Sequence, residues 1–461
     1  MPVAAHVMRH AAERPSRLAV CGPEGELTYA QFAERIQGAA RHLLALGRGP
    51  GTLVAIGLTD PVDVLTAVLA ADLAGATPLV GDPVWDRERW SRVAPASPYA
   101  AGPAVHVDAP LPYVAGPTVT HDPRPEDRAW ACFTSGSTGR PRAIVRARAS
   151  WTASFPHLSD LAGIGPDDVV LVPGPLVSSL YAFAAVHTLA TGATALLPGR
   201  WPSRALGDLL TRATVVHLVP HRLPDALAHP GTLRTAVVGG AALDPDTRAA
   251  AVRAGVRVVS YYGASELSFV AVDVDGDGLR PFPGVEIEVR PTPGAAGALG
   301  EVWVRSPWLA DGYLGDAAGP LRRDGDGWVT VGDVAEPYRV GEVLRVRGRG
   351  DGAIQTGGAT VVPEDVEEVL RKVPGVGDIV VIGSPHPSLG SVVTAVIEAE
   401  CASPPPRALL EAMARSGLDA AQRPRRWYAV PSLPRTQTGK PARALVAARL
   451  ADGDPDIRRL A

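Results

Sequence analysis

At 461 residues the chain is too long for a single hydrophobic core and suits two or three domains. Hydrophobic residues at 46% with 20% charged residues exclude a disordered chain, and a net charge of −3 with no Lys/Arg-rich tract excludes the electrostatic footprint of a nucleic-acid binder. Cys21, Cys132 and Cys401 stand far apart with no Cys-x-x-Cys, which argues against a disulfide framework or structural zinc and for a reducing, cytoplasmic compartment.

In chain order, residues 4–14 read as a short helix and 18–21 as a strand. The N-terminus has no uninterrupted apolar core of the kind a signal peptide needs. Thr28 followed by Gln31 forms a capping box for an amphipathic helix that runs to about Leu46, where Gly47 stops it. A strand at 53–58, a helix at 62–73 and a strand at 77–80 follow, and such alternation predicts a parallel sheet covered on both faces. Residues 93–127, rich in Pro, Ala and Asp, read as an irregular connection. Short apolar runs at 169–172, 194–197, 215–219, 235–238 and 256–260 resume the alternation. The region 180–197 is broken by His187, threonines and Gly192, so it reads as a buried helix running into a strand and not as a membrane span. From Gly284 to Arg349 the texture turns to alternating strands and hairpins, which suggests a β subdomain. Past the glycine-rich 348–358 comes an α+β tail, with helices near 364–372, 407–415 and 442–450 and strands near 379–382, 392–398 and 427–430. The domain boundary is expected at 350–352.

Five motifs carry chemistry. Thr134-Ser135-Gly136-Ser137-Thr138-Gly139-Arg140-Pro141-Arg142 follows the apolar run 129–133. Its glycines let backbone N–H groups approach an anion, and its hydroxyls add donors to phosphate oxygens. It is not the common phosphate loop, because the glycine spacing differs and no Lys follows; taken alone, such a cluster is more often an ordinary surface turn, and what lifts it is its company further down the chain. Ser260-Tyr261-Tyr262-Gly263-Ala264-Ser265-Glu266 lies just past an apolar strand, where a ring could stack on a base and a carboxylate could hold Mg²⁺; in isolation it is more often a turn with a buried Tyr. The third motif, Gly327 to Asp333, ends in an Asp after Gly that could accept both ribose hydroxyls, although a lone Gly-Asp in a hairpin is usually just a turn. The fourth starts at Gly348-Arg349-Gly350-Asp351 and continues through Gln355 to Gly358. Leu433 to Lys440 is the fifth. Lys372 and Lys440 are the only lysines among 45 basic residues, so a surviving lysine asks for a reason.

In this order and spacing the five motifs resemble the adenylate-forming superfamily of acyl-CoA synthetases, peptide-synthetase adenylation domains and luciferases. The segments 239–242 and Gly312-Tyr313, after Gly300-Glu301, also fall where that family has them. The resemblance implies an α/β fold. A large N-terminal domain (1–350) would hold stacked mixed and parallel sheets with helices plus a β subdomain at about 284–349. A small, mobile α+β domain (351–461) would turn about a hinge at Asp351. It also implies a two-step reaction: a carboxylate attacks the α-phosphate of ATP, giving an acyl-adenylate and pyrophosphate, and a thiol then displaces AMP.

The implied roles follow the motifs. Thr134, Ser135, Gly136, Ser137, Thr138, Gly139 and Arg142 would hold the phosphates. Gly240, Ala241 and Ala242 would border the adenine and acyl pocket, and Tyr262 beside Gly263 would stack on adenine. Val177, Ser178, Gly239 and Tyr261 would line the acyl pocket. Ser265 and Glu266 would sit by the α-phosphate and Mg²⁺, with Thr138 as a second metal ligand. Asp333 would hold the ribose hydroxyls, with Arg349 close to it. Lys440 would reach the acyl carboxylate and the α-phosphate, and the chemistry supports this independently. A compact ammonium sits between a carboxylate and a bridging oxygen where a planar guanidinium is too wide.

The chain also departs from the family pattern. Arg142 stands for the usual Lys, Ser265 for Thr and Gln355 for Lys. Arg146 and Arg148 lie where a His is often found, and small residues at 175–178 replace an aromatic–His pair. No Asp lies between Val177 and Phe183, which argues against an α-amino acid substrate. The leading expectation is an acid–CoA ligase, with Arg423, Arg425, Arg426 and Arg443 available to CoA phosphates and no room for a carrier domain after Lys440. The alternatives are a stand-alone adenylation enzyme that loads a carrier protein or a non-thiol nucleophile, and a non-catalytic nucleotide-binding homologue. Neither nucleic acid nor membrane is expected as a partner.

Overall fold

The computed structural model describes residues 3–460 except 86–87, 89, 91–104, 123, 135–141, 292–298, 315–318, 350–351, 353, 357–358, 387–389, 400–403 and 437–438. The chain divides into two compact units. Met1–Thr134, Pro141–Glu286 and Arg305–Gly319 make the first, and Ile287–Val304 with Pro320–Ala461 fall in the second. The fold is mixed α/β, with sheets and helices in the larger N-terminal part and an α+β arrangement at the C-terminal end.

The first unit holds two sheets. In the nine-stranded one, Arg257–Ala264, Thr235–Gly239, Val215–Leu218, Val169–Leu171, Thr194–Leu196 and Leu18–Gly22 run parallel, with antiparallel strands added at both ends. In the six-stranded sheet the order is Gly312–Tyr313, Arg142–Ala147, Arg128–Thr134, Thr77–Val80, Leu53–Ile56 and Val105–Val107. The last of these strands falls within the stretch expected to be irregular. It is only three residues long, and its pairing with Leu53–Ile56 supplies the hydrogen bonds that local sequence does not announce.

Helices Pro61–Leu73 and Ser179–Thr191 are buried nearly all round because each packs against strands of both sheets. The expected helix after the capping box runs from Tyr29 to Ala45, with Thr28 and Gln31 capping each other reciprocally. Pro61–Leu73 starts on Asp60, whose carboxylate accepts the Val62 and Asp63 N–H groups, with proline at its first position.

The second unit contains two further six-stranded sheets. One centres on Gly300–Arg305 and includes Asp333–Ala335 beside Val346–Arg349. In the other, the long antiparallel pair Val376–His386 and Gly390–Ala399 is packed by helices Pro363–Leu370 and Arg407–Gly417. Among the described residues no helix is long and apolar enough to cross a membrane.

Candidate active site

The tyrosine–glycine–serine–glutamate motif is built into a hairpin. The sequence places it just past a strand; in the structure strand Arg257–Ala264 runs through Tyr261, Tyr262 and Gly263, then turns at Ser265-Glu266-Leu267 into Ser268–Asp273. The tyrosines carry the strand on because the returning strand of the hairpin pairs with them, Tyr261 opposite Val272 and Tyr262 opposite Ala271, a pairing that the apolar pattern ending at Val259 does not signal. The register slips between Tyr262 and Gly263, and a Cβ on Gly263 would lie 2.1 Å from the Ser268 carbonyl oxygen. Only glycine fits there.

One strand over, Gly239 lies opposite Tyr261 in parallel register. The Tyr261 phenol covers it so closely that a Cβ would sit 2.2 Å from the ring. Gly240, Ala241 and Ala242 follow on the exposed surface. The C-terminal ends of two adjacent parallel strands thus bring 239–242 and 261–266 together, the usual place for a ligand in an open α/β sheet.

The turn itself is braced. Glu266 is buried, its Oε1 accepts the Tyr313 hydroxyl at 2.9 Å, and its carbonyl accepts the Ala310 N–H at 2.9 Å. The Ser265 and Ser179 hydroxyls lie 2.7 Å apart. Ser179 opens the helix that Ser178 caps and that follows the buried Val177, so the pocket candidates 177–178 are joined to the turn. From the other sheet Arg146, also buried, donates to the carbonyls of Ser265 at 3.2 Å and Ser150 at 2.9 Å, and to the carbonyl of Trp308. Tyr313 and Arg146 are contacts that sequence reading did not assign. The signal was there in Arg146, a charged residue inside the apolar run 143–147, which a central strand must bury.

The phosphate-loop candidate connects strands Arg128–Thr134 and Arg142–Ala147, which pair antiparallel with Thr134 opposite Arg142. Ser135, Gly136, Ser137, Thr138 and Gly139 lie outside the described residues, as does the hinge candidate Asp351. Gly312 and Tyr313 add to the far edge of the same hairpin, opposite Val145 and Ile144.

In the second unit, Asp333 is buried and pairs in register with Arg349 across two antiparallel strands. Lys440 sits in a tight loop where the Thr436 N–H donates to its carbonyl at 2.7 Å and Arg435 bridges Pro441. Arg435 fastens that loop through Asp378 at 2.9 Å and Glu398 at 3.0 Å. Past the loop, Arg443 reaches the buried Glu367 at 2.9 Å; burial nevertheless pushes the Glu367 carboxyl up to about 7.

The model of the AMP-binding enzyme matches residues 7–97 and 95–314, and that of the AMP-binding enzyme C-terminal domain matches 365–440. The chain belongs to the AMP-binding, adenylate-forming enzyme family. Within that family it is 33% identical over 350 residues to an uncharacterized acyl-CoA ligase, YhfT, of Bacillus subtilis (strain 168), covering 72% of this chain and 70% of that protein. Some of the other curated relatives are far longer, and the chain spans 34% of one and 18% of two more. Among solved structures, ATP-bound MatB from Rhodopseudomonas palustris shares the fold at a TM-score of 0.84, with 23% identity over 97% of this chain and 99% of that one. Amide bond synthetase McbA from Marinactinospora thermotolerans matches at a TM-score of 0.75 and 27% identity, covering 97% of this chain and 100% of that one.

Proposed function

We propose that this AMP-binding enzyme activates a carboxylic acid with Mg²⁺-ATP and passes the acyl group to the thiol of CoA. In the first step a carboxylate oxygen bonds to the α-phosphorus and pyrophosphate leaves with the broken bond's electrons. In the second, the thiolate adds to the acyl carbonyl and AMP leaves. The observation that carries the reading is the braced Ser265–Glu266 turn beside Gly239–Ala242, at the ends of parallel strands.

Roles are assigned within that reading. Tyr262 stacks on adenine, Ser265 faces the α-phosphate, and Thr134 to Gly139 with Arg142 hold the outer phosphates. Asp333 and Arg349 serve the ribose, and Lys440 supplies the cation for the developing charge, with Asp351 as the hinge between 1–350 and 351–461. Val177, Ser178, Gly239 and Tyr261 line the acyl pocket. Glu266 fits Mg²⁺: it offers a hard carboxylate oxygen, and no group of three His, Cys, Asp or Glu side chains among the described residues forms a cage of its own. Such a carboxylate, with Thr138, would suit an ion that shares its ligands with phosphates and neutralises their charge.

The name of YhfT supports CoA as acceptor. That of McbA supports the second reading, an amine or another non-thiol nucleophile, and a carrier-protein thiol is the third. Pyrophosphate release is measured with Mg²⁺-ATP and a pool of carboxylic acids, with CoA, with amines or with neither. Acid-dependent release that falls at least about a hundredfold in Lys440→Ala is expected, since a charge-stabilising contact of this kind contributes roughly 3 kcal/mol. Turnover that needs CoA supports the ligase; turnover that needs an amine replaces it with amide synthesis. Release that stalls near one equivalent with either acceptor points to a carrier protein. No release with any acid overturns the enzyme reading.

A further inference from the structure

We propose that Arg146 is a positioning residue that fixes the Ser265–Glu266 turn to the strand leaving the phosphate-loop candidate; the inference rests on the function proposed above. Arg146 lies on Arg142–Ala147, a strand flanked on both sides, and is 4% exposed. Its guanidinium meets three separate segments. Nε donates to the Ser150 hydroxyl at 3.2 Å, one terminal nitrogen to the Ser265 carbonyl at 3.2 Å, and the other to the carbonyls of Ser150 at 2.9 Å and of Trp308. Trp308 opens the stretch that then gives Ala310 to the Glu266 backbone and Tyr313 to its carboxylate. One side chain therefore ties the strand after the loop, the turn, and the segment that holds the turn from its other side.

These partners are all carbonyl or hydroxyl oxygens, in contrast to Arg148, which pairs with the Asp72 carboxylate. Burial draws the Arg146 pKa down to about 10, so the group stays charged at neutral pH. A buried cation costs more than an apolar side chain of the same size unless its geometry is used. The planar fork of five donors meets several oxygens at fixed angles, which neither a methionine nor the three-donor head of a lysine does as well. What the fork fixes is where Ser265 and Glu266 lie relative to Thr134 and Arg142.

The test compares the parent with Arg146→Met and Arg146→Lys in two ways. Amide hydrogen exchange is followed on the ligand-free protein, and the Mg²⁺ and ATP dependence of acid-driven pyrophosphate release is measured. In Arg146→Met, exchange rises about tenfold at 264–268 and 308–314 while Val215–Leu218 and Thr235–Gly239 stay protected, the scale expected from losing hydrogen bonds to a charged donor. The Mg²⁺ requirement and the KM for ATP rise about tenfold with the KM for the acid unchanged, and Arg146→Lys recovers part of the loss. An exchange pattern and Mg²⁺ dependence like the parent's, or uniform loosening of both sheets, overturns the proposal. If Arg146→Met does not fold, the same measurements on Arg146→Lys decide. A parent that releases no pyrophosphate overturns the proposed function alone, since exchange on the ligand-free protein still reports the brace.

Discussion

Replacing Asp72 by alanine leaves Arg148 charged and buried without a counter-ion. In the intact protein their side chains are 4% and 2% exposed, and both terminal nitrogens of Arg148 donate to Asp72 Oδ1, at 2.8 and 3.1 Å. Asp72 Oδ2 accepts the Ala4 N–H at 3.1 Å, so one carboxylate joins the first helix, helix Pro61–Leu73 and the segment after the phosphate-loop hairpin. Removing one partner of such a pair costs about 3–5 kcal/mol, and the orphaned Ala4 N–H adds about 1 kcal/mol. Against a net stability of about 5–15 kcal/mol, that is a large share. The double variant Asp72→Leu/Arg148→Met removes both charges and is expected to recover most of the loss. Urea unfolding followed by tryptophan fluorescence reads the effect, because Trp130 and Trp151 line the small cavity beside Asp72. The same data decide whether Arg148, one of two arginines where a His was expected, is structural. If it is, the folded fraction of Asp72→Ala keeps its acid-dependent pyrophosphate release per molecule. A single-variant cost below about 1 kcal/mol, or activity lost beyond the unfolded fraction, would refute the reasoning.

Tyr313→Phe removes the hydroxyl that Glu266 accepts at 2.9 Å. A ten- to hundredfold fall in kcat/KM with a small fall in melting temperature is expected, from about 1.5–3 kcal/mol for a charged hydrogen bond. Gly263→Ala drives a Cβ into the Ser268 backbone carbonyl and should abolish soluble expression or release the turn. Gly165→Ala, with nothing within 4 Å of the new atom, is the neutral control, and circular dichroism with melting curves separates them. The Glu367 carboxyl, raised from 4.5 to about 7, favours the fold while protonated. That stability is fully present below about pH 4.5 and is lost as pH rises to about 7, at most about 3 kcal/mol. Glu367→Gln should flatten this slope in pH-dependent denaturation of the second unit, and an unchanged slope would assign it to another group.

Local signals determined much of this protein from sequence alone. Thr28 and Gln31 announced their helix because a capping box is complete within four residues, and the helix and strand between 180 and 197 followed from apolar texture broken at Gly192. Motif order was enough to identify the adenylate-forming family, because each motif carries its chemistry in consecutive residues. Tertiary structure alone decided what depends on contacts between distant segments. It set Leu18–Gly22 beside Thr194–Leu196 and made a strand of Val105–Val107. It also separated the fates of two arginines that look alike in sequence. Arg148 meets a carboxylate 76 positions away, while Arg146 meets carbonyls 119 and 162 positions away. A charge buried in a sheet must find its partners wherever the fold brings oxygen to it, and sequence spacing carries no record of that meeting.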